Sequence, residues 1–173
     1  MTTMTATTAY LPRPISPTVL GELRVADDAG QPLAAFTADE DGSPLRCCLR
    51  PVEVGDRIAL VSYAPLRRWA AETGAAPGAY DEQGPVFIHA EECGGVAAAD
   101  GGGYPFDRAG ALRTVRRYSA DGHILGGRLL EIPDPAEEAF DAVFEEAFAD
   151  PEVALVHVRA VEYGCFLFEV RRG

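Results

Sequence analysis

Lysine does not occur in this sequence, and all 15 of its basic residues are arginines. The absence of lysine excludes Schiff-base catalysis and the lysine clamps that hold phosphate groups. Any fixed cation in a binding site must therefore be a guanidinium group. Its paired N–H donors are well suited to planar carboxylates and to phosphates.

Basic residues are also outnumbered, because 27 acidic residues give the chain a formal net charge of −12. This charge would repel a nucleic-acid backbone, so we expect no DNA or RNA partner. No apolar stretch approaches the roughly 20 residues that span a bilayer, and residues 1–10 lack the charged start and apolar run of a signal peptide. The sequence therefore predicts a cytoplasmic protein without membrane association, whose cysteines stay reduced. Nothing in it indicates a homo-oligomer.

Two familiar site motifs are missing as well. The glycine-rich stretch over residues 94–103 lacks the Lys-Ser/Thr of a phosphate-binding loop, and we interpret it as a surface insertion. No Cys-x-x-Cys pair, the usual signature of a zinc site, occurs among the four cysteines. Neither a nucleotide site nor a standard zinc finger is therefore predicted.

The length of 173 residues and the hydrophobic content of 47% are typical of one globular domain. We expect an irregular arm over residues 1–18 and a single domain over residues 19–173. Strand and helix patterns predict strands at 57–63, 85–91, 153–159 and 165–171, a hairpin over 112–130, and a short helix over 65–73 that ends at Gly74. Short antiparallel connections between these elements indicate an α+β fold built mainly on an antiparallel sheet, with a C-terminal hairpin.

The principal helix is predicted over residues 135–149. Asp134 would cap it, Pro135 would occupy its first turn, and Glu137 completes the spacing of a capping box. Its apolar stripe consists of Phe140, Val143, Phe144, Ala147 and Phe148. The other face is acidic, so it is either an ordinary solvated surface or a surface that binds a protein partner.

Reactive side chains are concentrated in three short segments with strand-like sequences, residues 46–50, 84–93 and 153–171. Together they contain all four cysteines and two of the three histidines. Side chains on separate strands of a small domain can converge on one site. Seven side chains from these segments are candidate site residues, and Tyr63 joins them because it ends a strand. The full set is Cys48, Arg50, Tyr63, His89, Cys93, His157, Arg159 and Cys165.

Strand parity makes the last hairpin the most specific part of this hypothesis, because alternate side chains share a face. If residues 160–164 form a five-residue loop, Arg159 lies opposite Cys165 and His157 lies opposite Leu167. Arg159 would then favour the Cys165 thiolate, and His157 would exchange protons with it. Phe166 would face the other side of the sheet. A register shifted by one residue would separate His157 from Cys165.

Two alternatives use the same residues without covalent chemistry. His89 and Cys93 supply a nitrogen and a sulfur ligand for zinc, and Cys47 or Cys48 together with His157 or Cys165 would complete the set. Arg50, Arg159 and Tyr63 would instead hold an anion.

Several of these segments resemble a bacterial family of small proteins, of about 155–175 residues, known as a domain of unknown function. The matching pieces are Arg46-Cys47-Cys48-Leu49-Arg50, Ser62-Tyr63-Ala64-Pro65, Gly84 to Ala90, Cys93, Arg117-Tyr118, Val156 to Arg159 and Gly164-Cys165-Phe166. The resemblance implies that the candidate site residues belong to a shared pattern, and it implies no activity.

The leading hypothesis is one polar Arg/His/Cys pocket that binds a small anionic or carboxylate-bearing molecule, with a cysteine able to act on it. Cys165, His157 and Arg159 would be catalytic, and the other five candidates would bind substrate. A zinc protein and an interaction module built on the acidic helix 135–149 are the alternatives. No organic cofactor is implied.

Overall fold

The structure is a computed structural model that describes residues 9–96 and 103–173. The glycine-rich stretch predicted as a surface insertion lies largely outside the described residues. In chain order, the elements are α1 (Pro17–Leu23), β1 (Phe36–Thr37), β2 (Arg57–Tyr63), α2 (Pro65–Thr73), a 3₁₀ turn (Gly78–Tyr80), β3 (Gly84–His89), β4 (Leu112–Ser119), β5 (Ile124–Glu131), α3 (Glu137–Phe148), β6 (Val153–Ala160) and β7 (Phe166–Arg171).

The described strands form two antiparallel sheets. The smaller sheet has the strand order β1-β2-β3, and the larger has the order β5-β4-β6-β7. The predicted α+β class is therefore confirmed, with the strands divided between two sheets and α3 as the longest helix.

Helix α3 covers one face of the larger sheet with the predicted apolar stripe. Phe140 and Phe144 are fully buried there, against Val156, Val158 and Phe168 of β6 and β7. Burial of each phenylalanine side chain contributes about 1.5–3 kcal/mol. The predicted helix start is wrong, because α3 begins at Glu137 with Ala136 in the cap position and no side-chain cap bond. Ala136 is itself buried in this core.

The opposite face of the larger sheet is also buried, because α2 and the smaller sheet pack there. Leu155 and Tyr118 contact Leu66 of α2, while Phe166 joins the core of the smaller sheet beside Tyr63. The central strand β6 is therefore enclosed on both sides, which accounts for its continuous apolar sequence.

The predicted register of the last hairpin is wrong. His157 lies opposite Glu169 and Arg159 lies opposite Phe166, with a register shift between Val158 and Arg159. Because two residues of β7 oppose one position of β6 at this bulge, the alternation of faces changes there. Phe166 consequently lies on the same face as His157, with 5.0 Å between the ring centroids.

Candidate metal centre

Residues 46–50 form a turn and not the predicted strand. The Leu49 amide donates to the Leu45 carbonyl at 3.0 Å, and the Leu45 amide donates to the Arg50 carbonyl at 2.9 Å. Leu49 has a positive φ of 58°, a conformation that reverses the chain direction locally. Neighbouring side chains of a strand would point to opposite faces. In this turn the sulfur atoms of Cys47 and Cys48 lie on the same side, 3.9 Å apart.

Strand β3 holds the turn in place and supplies the third side chain. The Arg46 amide donates to the Phe87 carbonyl at 3.0 Å. The His89 amide donates to Cys47 Sγ at 3.2 Å. His89 is the last residue of β3, and Cys93 follows in the loop beyond the strand. Both side chains nevertheless reach the turn.

Cys47, Cys48, His89 and Cys93 form one cluster whose ligand atoms all lie within 4.8 Å of one another. His89 Nδ1 lies 3.4 Å from Cys47 Sγ and 3.9 Å from Cys48 Sγ. Around a tetrahedral zinc ion, sulfur atoms lie about 3.8 Å apart, and a sulfur and a nitrogen about 3.5 Å apart. The three separations among Cys47, Cys48 and His89 lie within about 0.4 Å of the edges of such a tetrahedron.

The second ring nitrogen of His89 faces a carboxylate. His89 Nε2 lies 3.6 Å from Asp56 Oδ2, and Asp56 directly precedes β2, the strand that pairs with β3. A histidine that binds metal through one nitrogen generally directs the other N–H at a carboxylate or carbonyl, which fixes the ring orientation. The Asp56–His89 arrangement therefore leaves Nδ1 free to serve as the ligand atom.

The paired thiols are electrostatically coupled. The hydrogen bond from Cys47 lowers the pKa of Cys48 to about 5, and the backbone and guanidinium N–H groups of Arg50 contribute in the same direction, while burial opposes the shift. The same hydrogen bond, together with burial, raises the pKa of Cys47. One thiolate forms readily, and a second beside it requires a cation between the sulfurs.

The remaining predicted site residues lie elsewhere. His157 is 0% exposed and lies beside the rings of Tyr118 and Phe166, with Nε2 3.3 Å from Glu169 Oε1. Burial lowers the pKa of His157 more than the hydrogen bond to Glu169 raises it. The histidine is therefore neutral at physiological pH and is not exposed to a ligand.

Tyr63, Arg159 and Cys165 do lie together, as lining residues of a separate cavity of about 240 Å³. Arg159 donates to the Gly164 carbonyl at 2.8 Å and approaches Glu82 at 3.7 Å. Cys165 is half-buried, and its thiol points toward the Tyr163 carbonyl at 3.8 Å. Of the eight predicted residues, three lie in the cluster, three line this cavity, and His157 is buried apart from both. The eighth, Arg50, is bonded to Cys48 of the cluster.

Sequence reasoning gave too little weight to Cys47 and missed Asp56. The strand assumption at 46–50 placed the two cysteines on opposite faces, so only one of them entered the predicted site. Their adjacency was the available signal, because two neighbouring cysteines converge on one ion if the backbone turns there. Asp56 carries no local signal, since its role depends on the pairing of β2 with β3.

Comparison with known proteins identifies a family for most of the chain. The model of a family described as "Protein of unknown function (DUF1203)" matches residues 42–172, which include all four cysteines. Searches of curated proteins and of solved structures find no match. Within the described residues, no helix combines the length and the apolar character needed to cross a bilayer.

Proposed function

The chain belongs to the DUF1203 family of unknown function, and from the geometry of its own residues we propose that it binds a zinc ion through Cys47, Cys48, His89 and Cys93. The observation that carries the proposal is the convergence of four ligand atoms within 4.8 Å of one another. Three of the four cysteines of the chain take part, although they are separated by up to 46 residues in sequence.

Zinc is the metal that this donor set favours. Three thiolates and one imidazole form a soft, four-coordinate site, whereas magnesium, calcium and manganese prefer oxygen ligands. With four protein ligands no coordination position remains open for a water or a substrate, which is the arrangement of structural zinc sites. We therefore propose a structural ion.

A zinc ion here would join three segments of the chain. It would tie the 46–50 turn, which precedes β2, to the end of β3 and to the loop that contains Cys93. Two zinc-bound sulfurs would already accept N–H bonds: the His89 amide donates to Cys47, and the Arg50 N–H groups donate to Cys48. These donors partly balance the net negative charge of an ion held by three thiolates.

The proposal is tested by metal analysis of protein purified without a metal-affinity tag. We expect about one zinc ion per chain in the unmodified protein and in Cys165→Ser, and much less in Cys93→Ser and His89→Gln. Cys165→Ser is the matched control, because it removes the one cysteine outside the cluster. Reconstitution with Co²⁺ adds a geometric readout, since tetrahedral thiolate coordination gives intense visible absorption.

Two results would contradict the zinc proposal. One is a metal-free protein that also fails to bind added Zn²⁺ or Co²⁺ under reducing conditions. The other is equal loss of metal in Cys165→Ser and Cys93→Ser, which would mean that metal binding does not depend on the cysteines of the cluster in particular.

The hypothesis of covalent chemistry now concerns Cys165, because the other three cysteines lie in the proposed zinc site. Its support is the cavity that Cys165 shares with Arg159 and Tyr63. Alkylation followed by peptide mapping tests it: Cys165 should react faster in the native protein than in unfolded protein. An equal or slower rate would leave it as a lining residue without nucleophilic activity.

A further inference from the structure

The two most buried arginines of the described chain have no carboxylate partner there. Arg46 is 3% exposed and Arg113 is 9% exposed. Arg46 donates to the carbonyls of Phe166 and Pro44, and Arg113 donates to the carbonyls of Leu112 and Phe106. The Nε atom of Arg113 is buried and has no hydrogen-bond acceptor among the described residues.

Other arginines of this acidic protein do have such partners. Ion pairs within 4.0 Å link carboxylates to Arg57, Arg67, Arg68, Arg116, Arg128, Arg159 and Arg171. A buried cation without a counter-ion carries a large desolvation cost. Among the described acids, Glu162 acts on Arg113 through its charge but forms no ion pair with it within 4.0 Å. The two buried guanidinium groups therefore remain available to an anion from outside the chain.

Both arginines line one cleft of about 820 Å³, a size typical of small-molecule sites. Much of the remaining lining is apolar and consists of Leu60, Pro85, Phe87, Phe106, Ala160 and Leu167. Leu60 is 52% exposed and Tyr163 is 90% exposed, so apolar surface extends beyond the buried part of the cleft. Asp107, Arg108 and Glu162 also line the cleft, and all three are solvent-exposed.

We propose that this cleft binds a small amphipathic carboxylate, with its anionic group at Arg46 and Arg113 and its apolar body along Leu60 and Phe87. This site is distinct from the proposed zinc site. The two buried arginines suit a carboxylate head group, because guanidinium groups bind carboxylates through paired N–H donors. The three arginines and two acids of the lining leave a net charge of one positive unit, which favours a ligand with a single negative charge. The apolar part of the lining would desolvate a wholly polar ligand without offering it hydrogen bonds.

Calorimetric titration with decanoate and with decan-1-ol tests the role of the charge without any mutation. The two compounds share an apolar chain and differ in the head group. We expect decanoate to bind at least about tenfold more tightly, a difference of about 1.4 kcal/mol. Decanoate, and not decan-1-ol, should also slow alkylation of Cys165, which lines the same cleft.

Variants locate the site. Arg113→Gln should lower decanoate affinity by about tenfold or more, because a neutral amide replaces the guanidinium. Leu60→Asp places a negative charge on an exposed position of the apolar wall, where folding is least affected, and should give a loss of similar size. Arg128→Gln is the matched control, since Arg128 is an exposed arginine that pairs with Glu146 outside the cleft. The affinity of this variant for decanoate should equal that of the unmodified protein.

The proposal is overturned if decanoate and decan-1-ol bind equally well, or if decanoate binding is undetectable. Unchanged affinity in Leu60→Asp would also overturn it, even if Arg113→Gln failed to fold. Zinc content is measured in the same preparations. If zinc-loaded protein binds decanoate no more tightly than decan-1-ol, only the proposed carboxylate site is rejected. If protein that takes up no zinc still binds decanoate more tightly than decan-1-ol, only the proposed zinc site is rejected.

Discussion

His157 of β6 and Glu169 of β7 form a hydrogen-bonded pair across the larger sheet, with His157 fully buried and Glu169 half-buried. Burial alone would raise the pKa of Glu169, but the hydrogen bond with His157 and the charge of Arg171 outweigh it, so the pKa is lowered. Glu169 also accepts a 2.7 Å bond from Arg171. The carboxylate is therefore ionised, and the neutral imidazole donates to it through Nε2. The His157 ring is 0% exposed, so solvent does not reach it directly.

Acidification should destabilise the protein through His157. Unfolded histidine binds a proton near pH 6.5, whereas the buried ring resists protonation because its pKa is lowered. The free energy of unfolding should therefore fall as the pH drops below about 6.5, by up to about 1.4 kcal/mol per pH unit. Glu169 of β7 favours the charged ring, while Arg159 of β6 and Arg116 of β4 oppose it.

Urea unfolding at about pH 7.5 and about pH 5.5 measures this contribution. His157→Gln should lose less stability between the two pH values than the unmodified protein. His123→Gln is the control, because His123 is an exposed turn residue bonded to the Ala76 carbonyl. The same pH dependence in His157→Gln and His123→Gln would show that the buried ring does not contribute.

At the scale of elements, the two ends of α2 follow local sequence signals, whereas the start of α3 does not. Helix α2 begins at Pro65 and ends at Gly74, which has a φ of 78°, as the sequence predicts. Helix α3 instead begins at Glu137, after a buried Ala136 that provides no side-chain cap bond. Its acidic face is partly engaged within the chain, since Glu146 pairs with Arg128 and Asp141 accepts from Tyr104. Use of this face by a protein partner remains a prediction, which charge reversal at Glu138 and Glu145 followed by a pull-down would test.

Two glycine-to-alanine changes should have opposite effects on stability, because Gly74 has a left-handed backbone conformation and Gly21 lies inside a helix. Gly74→Ala should destabilise the protein by about 1–2 kcal/mol, because a side chain with a Cβ atom is strained at positive φ. Gly21→Ala lies inside α1 with no atom near the new methyl group and should be stabilising by about 0.5–1 kcal/mol. Both positions are exposed, so chemical denaturation compares them directly. Equal effects of the two changes would contradict this assignment.

At the scale of the whole molecule, the proposed zinc ion would strengthen a connection between the 46–50 turn and β3 that otherwise consists of hydrogen bonds at Arg46 and His89. The turn with Cys47 and Cys48 precedes β2, whereas His89 and Cys93 lie at and beyond the end of β3. The turn also positions Arg46, whose guanidinium reaches the Phe166 carbonyl of β7 in the larger sheet. Binding at this cluster should therefore be linked to global stability.

Zinc should raise the thermal unfolding midpoint of the metal-free protein. A ligand at about 100 times its dissociation constant stabilises the folded state by about 2.7 kcal/mol, if it does not bind the unfolded chain. Differential scanning calorimetry under reducing conditions measures the shift. Cys165→Ser should respond like the unmodified protein, while Cys93→Ser should show little response. A shift of the same size in Cys93→Ser would indicate that zinc acts at another site.

The sequence by itself determined the elements whose signals are local. The strand at 57–63, the helix at 65–73 with its terminal glycine, and the apolar stripe of α3 all follow from residue periodicity and turn chemistry. Tertiary structure decided the rest. The bulge opposite Val158 moved Phe166 to the face of His157, and the turn at 46–50 brought Cys47 and Cys48 to one side. Such features depend on contacts between segments that are distant in the sequence. The cluster of cysteine and histidine side chains is therefore visible in the tertiary structure but is not specified by any local sequence pattern.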